Sequence, residues 1–248
     1  MTIKYIDSAV AFIDILGFSD LVLESESNTD VFNRVTTALN GLNDACASVI
    51  KRAGAISDCG TFKLSTFSDC VVMSVQRRYS SAMLVYASEV ANQLLQTGFL
   101  CRGGIAVGAA SHSSSNIVGP AFIKAYVAES KYAVYPRILV DASIVDEAIN
   151  KSIGATKIMF ESMLKIADDG TYFLNIYSSP LISVLTGNPS SKGHERRTYE
   201  DTALATLKFG ENIQREDVLM KYRWARTQFM QSVYCTSEFV EQLKQIHL

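Results

Sequence analysis

Proline is scarce in this chain of 248 residues: there are four, all late, at Pro120, Pro136, Pro180 and Pro189. The first 119 residues contain no obligatory break in helix or strand and read as one uninterrupted core-forming stretch. Charge is also sparse, at 19% of residues with a formal balance of −2 and a pI near 5.9. That balance gives no general attraction to nucleic acid or anionic lipid, so any phosphate recognition has to be local, and a small phosphorylated ligand fits better than a polyanion. No segment offers 18 uncharged apolar residues, and MTIKYIDSAV lacks the basic-then-apolar order of a targeting peptide. The expectation is a cytoplasmic protein without a membrane segment. The five cysteines, Cys46, Cys59, Cys70, Cys101 and Cys235, are odd in number, show no CxxC spacing and mostly lie in apolar runs. They read as reduced core thiols rather than a disulfide framework. Repeats and low-complexity tracts are absent. The apolar content of 48% excludes a disordered or fibrous chain and suffices for one full core, or a core plus an appendage.

Within that content the apolar periodicity changes along the chain. Ala9 to Leu16 (AVAFIDIL) is a continuous apolar run interrupted only by Asp14, the pattern of a strand buried on both faces, and Gly17 ends it. Helical spacing follows from about Ser19 and continues through Val31, Val35, Leu39, Leu42, Ala45 and Val49. Thr61 to Phe67 and Cys70 to Val75 predict a β-hairpin with Asp69 at or beside its tip, Ser68-Asp69 being suited to a tight turn. Ser81 to Gly98 predicts a helix with a glycine stop, and Leu100 to Ala109 a Gly-rich strand. The order β-α-β-β-α-β predicts an α+β fold of the ferredoxin-like, or palm, kind: an antiparallel sheet with helices on one face. Ala121 to Lys131 continues as helix and Pro136 to Val140 as strand. Later, Leu174 to Leu185 contains expected strand, Thr186 to Arg197 an expected polar loop, and Thr198 to Leu248 long helical patterns. The division is a core at residues 1–150 and a C-terminal strand and helix extension at 151–248, packed on the core and serving dimerisation or as a lid.

A lone carboxylate in an apolar strand needs compensation, because desolvating it costs several kcal/mol or more. On a palm topology the first strand lies beside the hairpin, so Asp14 and Asp69, 55 residues apart, converge in space. Paired carboxylates make an oxygen-rich site for Mg²⁺ or Mn²⁺ and bridge to phosphate oxygens. The turn Ile15 to Ser19 (ILGFS) brings a glycine and the positive end of a helix to the same place, where the backbone of Gly17, Phe18 and Ser19 can cradle a triphosphate. The alternative reading of Asp14 is a buried acid that caps a helix or pairs with an arginine.

The segment AFIDILGFSDLV resembles the first metal motif of the class III nucleotidyl cyclases, STFSDCVVMSV their second, and CRGGIAVG the strand that follows. GPAFIKAYVAES followed by YPRILVD resembles the helix and strand that close the cyclase core. The likeness spans about residues 8 to 141, in order. It implies that Asp14 and Asp69 hold two divalent cations (Mn²⁺ or Mg²⁺), with the Ile15 carbonyl as a further metal ligand. The reaction implied is attack of the ribose 3′-oxygen on the α-phosphorus with release of pyrophosphate.

Departures from the purine enzymes bear on the substrate. Ser65 stands four residues before Asp69, where adenylate cyclases carry Lys and guanylate cyclases Glu; Asn116 stands three before Gly119, where they carry Asp or Cys. Ile123 and Val127 stand where the ribose-orienting Asn and the transition-state Arg are expected. Arg102, Lys124 and Arg137 are the cations available instead, Arg102 in a catalytic role and Lys124 toward the substrate.

AFIDILGFSDLV together with RGGI, an AY helix ending in E, YPRI and the later KYRW (Lys221 to Trp224) resembles the bacterial pyrimidine cyclases of Pycsar antiphage defence. That resemblance implies a uridylate cyclase, UTP preferred and CTP next, working as a homodimer with sites at the interface and producing cUMP that acts on a separate effector protein. Ser65 and Asn116 fit a pyrimidine edge, since small neutral side chains both donate and accept. A catalytically silent nucleotide-binding module and a purine cyclase are the alternatives. His112, His194 and His247 read as surface residues.

Overall fold

The computed structural model describes residues 4–55, 62–114, 116–178, 199–232 and 234–248. The apolar run at the start becomes strand β1 (Ile6–Ile15), and Gly17, at φ 77°, turns the chain into helix α1 (Phe18–Ser25). That left-handed backbone suits glycine. Helix α2 (Thr29–Ala55) starts where the Asn28 carboxamide accepts from the Asp30 and Val31 N–H groups. The predicted hairpin is β2 (Lys63–Phe67) and β3 (Cys70–Gln76), with Ser68 at φ 54° in the turn. Helix α3 (Ser80–Gln96) and strand β4 (Cys101–His112) follow. A short strand β5 (Ile117–Val118) leads to helix α4 (Pro120–Val127), which opens on a proline at its first turn and runs into one π-helical turn at Ala128–Tyr132.

The sheet order is β2-β3-β1-β4-β6-β8-β7, where β6 is Ile138–Val140, β7 is Leu164–Ile166 and β8 is Tyr172–Leu174; β5 pairs β4 off this path. The first four strands in that order realise the predicted palm arrangement, and β4 and β6 run parallel. Residues 151–178 therefore extend the central sheet as well as carrying helix α6 (Gly154–Ser162) behind α5 (Ala142–Asn150). The strand expected over residues 174–185 ends at Leu174 and begins two residues earlier; residues 179–185 and the expected loop at 186–197 lie outside the described residues. The helical tail consists of α7 (Tyr199–Lys208), α8 (Glu216–Met230) and α9 (Ser237–Lys244).

Alternation along β1 sorts the two faces. Ile13 and Ile15, with Val71 and Met73 of β3, join the main core beneath α1, α2 and α3, and Ala203, Leu207, Tyr222, Ala225, Phe229 and Phe239 of the tail pack into the same core. Helices were expected on one face only. On the other face, however, Val10, Val72, Ala106 and Ala110 meet Ala121 and Ala125 of α4. Small residues make that possible: a Cβ on Gly104 would stand 2.5 Å from the Ala125 carbonyl oxygen. No helix among the described residues is long and apolar enough to cross a membrane.

A candidate metal and nucleotide site on the open sheet face

Strand register puts the candidate groups in one row. Phe67 of β2 pairs with Cys70, Cys70 with Asp14, and Asp14 with Arg102. Directly paired residues point to the same face, so the row lies on the side that α4 covers only in part. Asp69, in the hairpin turn, completes the group: ligand atoms of Asp14, Asp69 and Cys70 all lie within 4.8 Å of one another. Phe67 is 82% exposed at the edge of this row.

The electrostatics are unbalanced toward negative charge. Burial, followed by the neighbouring charge of Asp69, raises the Asp14 carboxyl to about 7, although the Cys70 thiol donates to Asp14 Oδ1 at 3.1 Å and works in the opposite direction. Burial and the same hydrogen bond push the Cys70 thiol far up, so it stays protonated. Arg102 is the compensating cation, but it is shared. Its Nη2 stands 3.8 Å from Asp14 Oδ2, and its Nε 2.6 Å from Oε1 of Glu129, a side chain 3% exposed. The closer contact is electrostatic rather than an aligned hydrogen bond, since neither Nε nor Oε1 has an in-line partner. Burial raises Glu129 as well, Arg102 opposing it.

Ile15 has its side chain in the core, 1% exposed, and only its backbone carbonyl is available. Gly17 and Ser19 are exposed while Phe18 is buried. No side chain caps α1, so its first N–H groups are open to an anion. Asp20 in that first turn pairs at 2.9 Å with Arg215, just ahead of α8, so the tail runs beside the turn.

The remaining candidates lie elsewhere. Ser65 sits one row from Asp14 and contacts His112 at 2.9 Å. Asn116 is exposed in the tight turn after β4, where its N–H donates to Ser113 Oγ. Lys124 donates to the Val107 carbonyl at 3.3 Å and lines a separate cavity of about 380 Å³ with Leu139 and Asp141. Arg137 is 6% exposed and pairs with Asp169 at 3.4 Å. Ile123 is 56% exposed and Val127 half-buried.

Three participants are not evident from the sequence pattern. Cys70 and Glu129 enter through strand register and the π turn, neither of which leaves a composition signal. His112, expected at the surface, is half-buried between Ser65 and Ser74.

No family model and no curated protein matches the sequence. Among solved structures the chain is similar to the adenylyl cyclase CyaB from P. aeruginosa, at 14% identity and a TM-score of 0.45, over 70% of this chain and 96% of that one. It is also similar to a bacterial light-regulated adenylyl cyclase, at 16% identity and a TM-score of 0.43, over 74% and 97%. A third is a class III adenylyl cyclase-like ATP-binding protein from Pseudomonas aeruginosa, at 12% identity and 0.40, over 62% and 38%. Likenesses this distant say nothing of substrate or activity.

Proposed function

We propose that this chain is a class III nucleotidyl cyclase that converts a pyrimidine nucleoside triphosphate, UTP ahead of CTP, to the 3′,5′-cyclic monophosphate and pyrophosphate. The observation that carries the reading is the convergence of Asp14 and Asp69, from β1 and the β2–β3 turn, beside an uncapped helix start.

The donor set suits hard divalent cations. Two carboxylates crowd together with too little local positive charge, since Arg102 is divided between Asp14 and Glu129, and Mg²⁺ or Mn²⁺ relieves that imbalance through oxygen ligands. Asp14, Asp69 and the Ile15 carbonyl would hold the ions, and protonated Cys70 would orient Asp14 without ligating. When bound, such ions lower the pKa of the ribose 3′-hydroxyl and neutralise the β- and γ-phosphates. The N–H groups from Gly17 to Ser19 face the polyphosphate, and Arg102 adds positive charge where pyrophosphate leaves. Ser65 and Asn116 are the base-edge candidates, and Lys124 a further substrate contact.

A homodimer with shared sites follows from the resemblance. It is supported by large apolar groups left open on or beside the α4-covered face, Phe67, Ile123 and Tyr126. In this reading residues 151–248 serve dimerisation or act as a lid over a core at 1–150, and the cyclic product signals to a separate effector in antiphage defence.

Incubating the purified protein with each of the four nucleoside triphosphates and Mn²⁺, then resolving the products, tests this. Cyclic UMP, with less cyclic CMP, is expected from the wild type and neither from Asp14→Ala or Asp69→Ala. Turnover of ATP or GTP well above the pyrimidines sinks the substrate assignment. The apolar Ile123 and Val127 favour one second reading, a silent nucleotide-binding module, which binding without any cyclic product would select.

A further inference from the structure

His112 is a half-buried titratable group that the metal chemistry leaves unused. Pairing between β1 and β4 ends at Ala110, so His112 lies beyond that ladder. Its contacts with β2 and β3 mean that the end of β4 curls back over the open face, where it pairs with β5 instead. The ring bridges two hydroxyls: Nε2 is 2.9 Å from Ser65 Oγ and Nδ1 is 2.8 Å from Ser74 Oγ. Ser74 is only 4% exposed, and with His112, Lys63, Ser8 and Gln76 it lines a cavity of about 230 Å³.

Burial and the charge of Lys63 hold the imidazole neutral, its pKa lowered to about 4. A neutral imidazole has one N–H and one lone pair. One serine must therefore donate to the ring while the other accepts from it. The accepting hydroxyl keeps its own proton for a ligand; the donating one has only lone pairs to offer. When the ring loses a proton from one nitrogen to water and takes one at the other, both roles reverse, with no change in charge or in the number of protons.

We propose that Ser65, His112 and Ser74 form a switchable relay that reads the edge of a nucleobase and admits its keto and amino forms alike. The inference rests on the nucleotide reading above. Uracil offers the O4 acceptor beside the N3–H donor, and cytosine offers the N4 amino donor beside the N3 acceptor, the same two positions with roles exchanged. A rigid donor–acceptor pair would reject one of them, because a mismatch strands a buried polar group. The relay meets either by changing tautomer, so UTP leads CTP by less than about tenfold in kcat/KM, well below the discrimination of about 10⁴ that a fixed hydrogen-bonding pair can reach. His112 acts here as a positioning residue, setting the direction of two hydroxyls.

The test uses ¹⁵N-histidine-labelled protein with Mg²⁺ and the 3′-deoxy forms of UTP and CTP, which bind but lack the attacking hydroxyl. The ring nitrogens of His112 are expected to shift in opposite directions with the two ligands. Movement in the same direction, or none while ligand binds, overturns the relay. His112→Phe should raise KM for both nucleotides at least tenfold, and His112→Gln, which retains one donor and one acceptor, should recover most of that loss. Should His112→Phe fail to fold, Ser74→Ala keeps the ring and should weaken both ligands at least threefold; unchanged affinity refutes the proposal. Cyclic product with unmoved ring nitrogens removes the relay and leaves the cyclase. Opposite shifts without cyclic product remove the cyclase and leave a base-reading module.

Discussion

Replacing Asp14 by Asn should stabilise the metal-free protein while abolishing its response to metal. The Asp14 carboxyl is raised from 3.8 to about 7, by burial first and then by Asp69. A carboxyl that binds its proton more tightly folded than unfolded costs stability as pH rises: the penalty is absent below pH 3.8, grows between 3.8 and about 7, and is complete above. The full span corresponds to about 4 kcal/mol, reduced to about 2–4 kcal/mol because the side chain is 19% exposed and partly screened. Asn keeps an oxygen to accept from the Cys70 thiol and carries no charge. In thermal unfolding at pH 8 without divalent ions the variant should melt about 5–10 °C above wild type, a gap that closes on acidification toward pH 4. Added Mn²⁺ should raise the wild-type midpoint and leave the variant unmoved. A variant no more stable than wild type at pH 8, or an advantage independent of pH, would refute the claim that Asp14 and Asp69 form a charge-strained pair.

His112 titrates with the opposite sign. Its folded pKa is lowered to about 4, so the stability it permits is complete above pH 6.5 and lost as pH falls toward 4, up to about 3 kcal/mol; chemical denaturation of His112→Gln against wild type at pH 5 and pH 7.5 should isolate that loss. Gly104→Ala would put a methyl 2.5 Å from both the Ala125 carbonyl and the Ala128 Cβ, forcing α4 off the sheet at a cost of about 1–3 kcal/mol, readable as a lower urea midpoint. Trp224 is the single tryptophan, stacked on Tyr135 with ring centroids 5.4 Å apart and set against Phe173 and Tyr177. Trp224→Ala should cost about 3–5 kcal/mol, and in the wild type Trp224 fluorescence should change in the same transition as the circular dichroism of the sheet, because the tail and core share one apolar cluster.

The palm order is legible because each element carries a local signal: an unbroken apolar run for β1, Ser68-Asp69 between two extended runs, and Gly98 after α3. What is not legible depends on distant partners. Alternation shows that Val10 and Phe12 share a face, yet nothing local says that α4 will cover that face rather than the one under α3; the decision rests on Gly104 and Ala106 meeting Ala121 and Ala125. Strands β7 and β8 have three residues each, too short for a period of two to emerge, and they exist because β6 offers a free edge. Lys124 and Arg137 stand out in the sequence as cations among apolar neighbours, but the groups they meet, the Val107 carbonyl and Asp169, lie far along the chain and leave no local signal.

The site shows the same division between local and distant causes. Asp14 draws notice because a charge in a buried strand has to be explained, and register then supplies Cys70 on one side and Arg102 on the other. Arg102 taken alone suggests a free catalytic cation, whereas its 2.6 Å contact with Glu129 ties it to a side chain that is almost wholly buried. Breaking such a pair leaves an uncompensated charge in the interior, at a cost of about 3–5 kcal/mol. Glu129 can therefore hold the guanidinium at one fixed distance from Asp14. That anchoring is a positioning role: it sets Arg102 at 3.8 Å from Asp14, where a guanidinium shared with Glu129 compensates the carboxylate only in part.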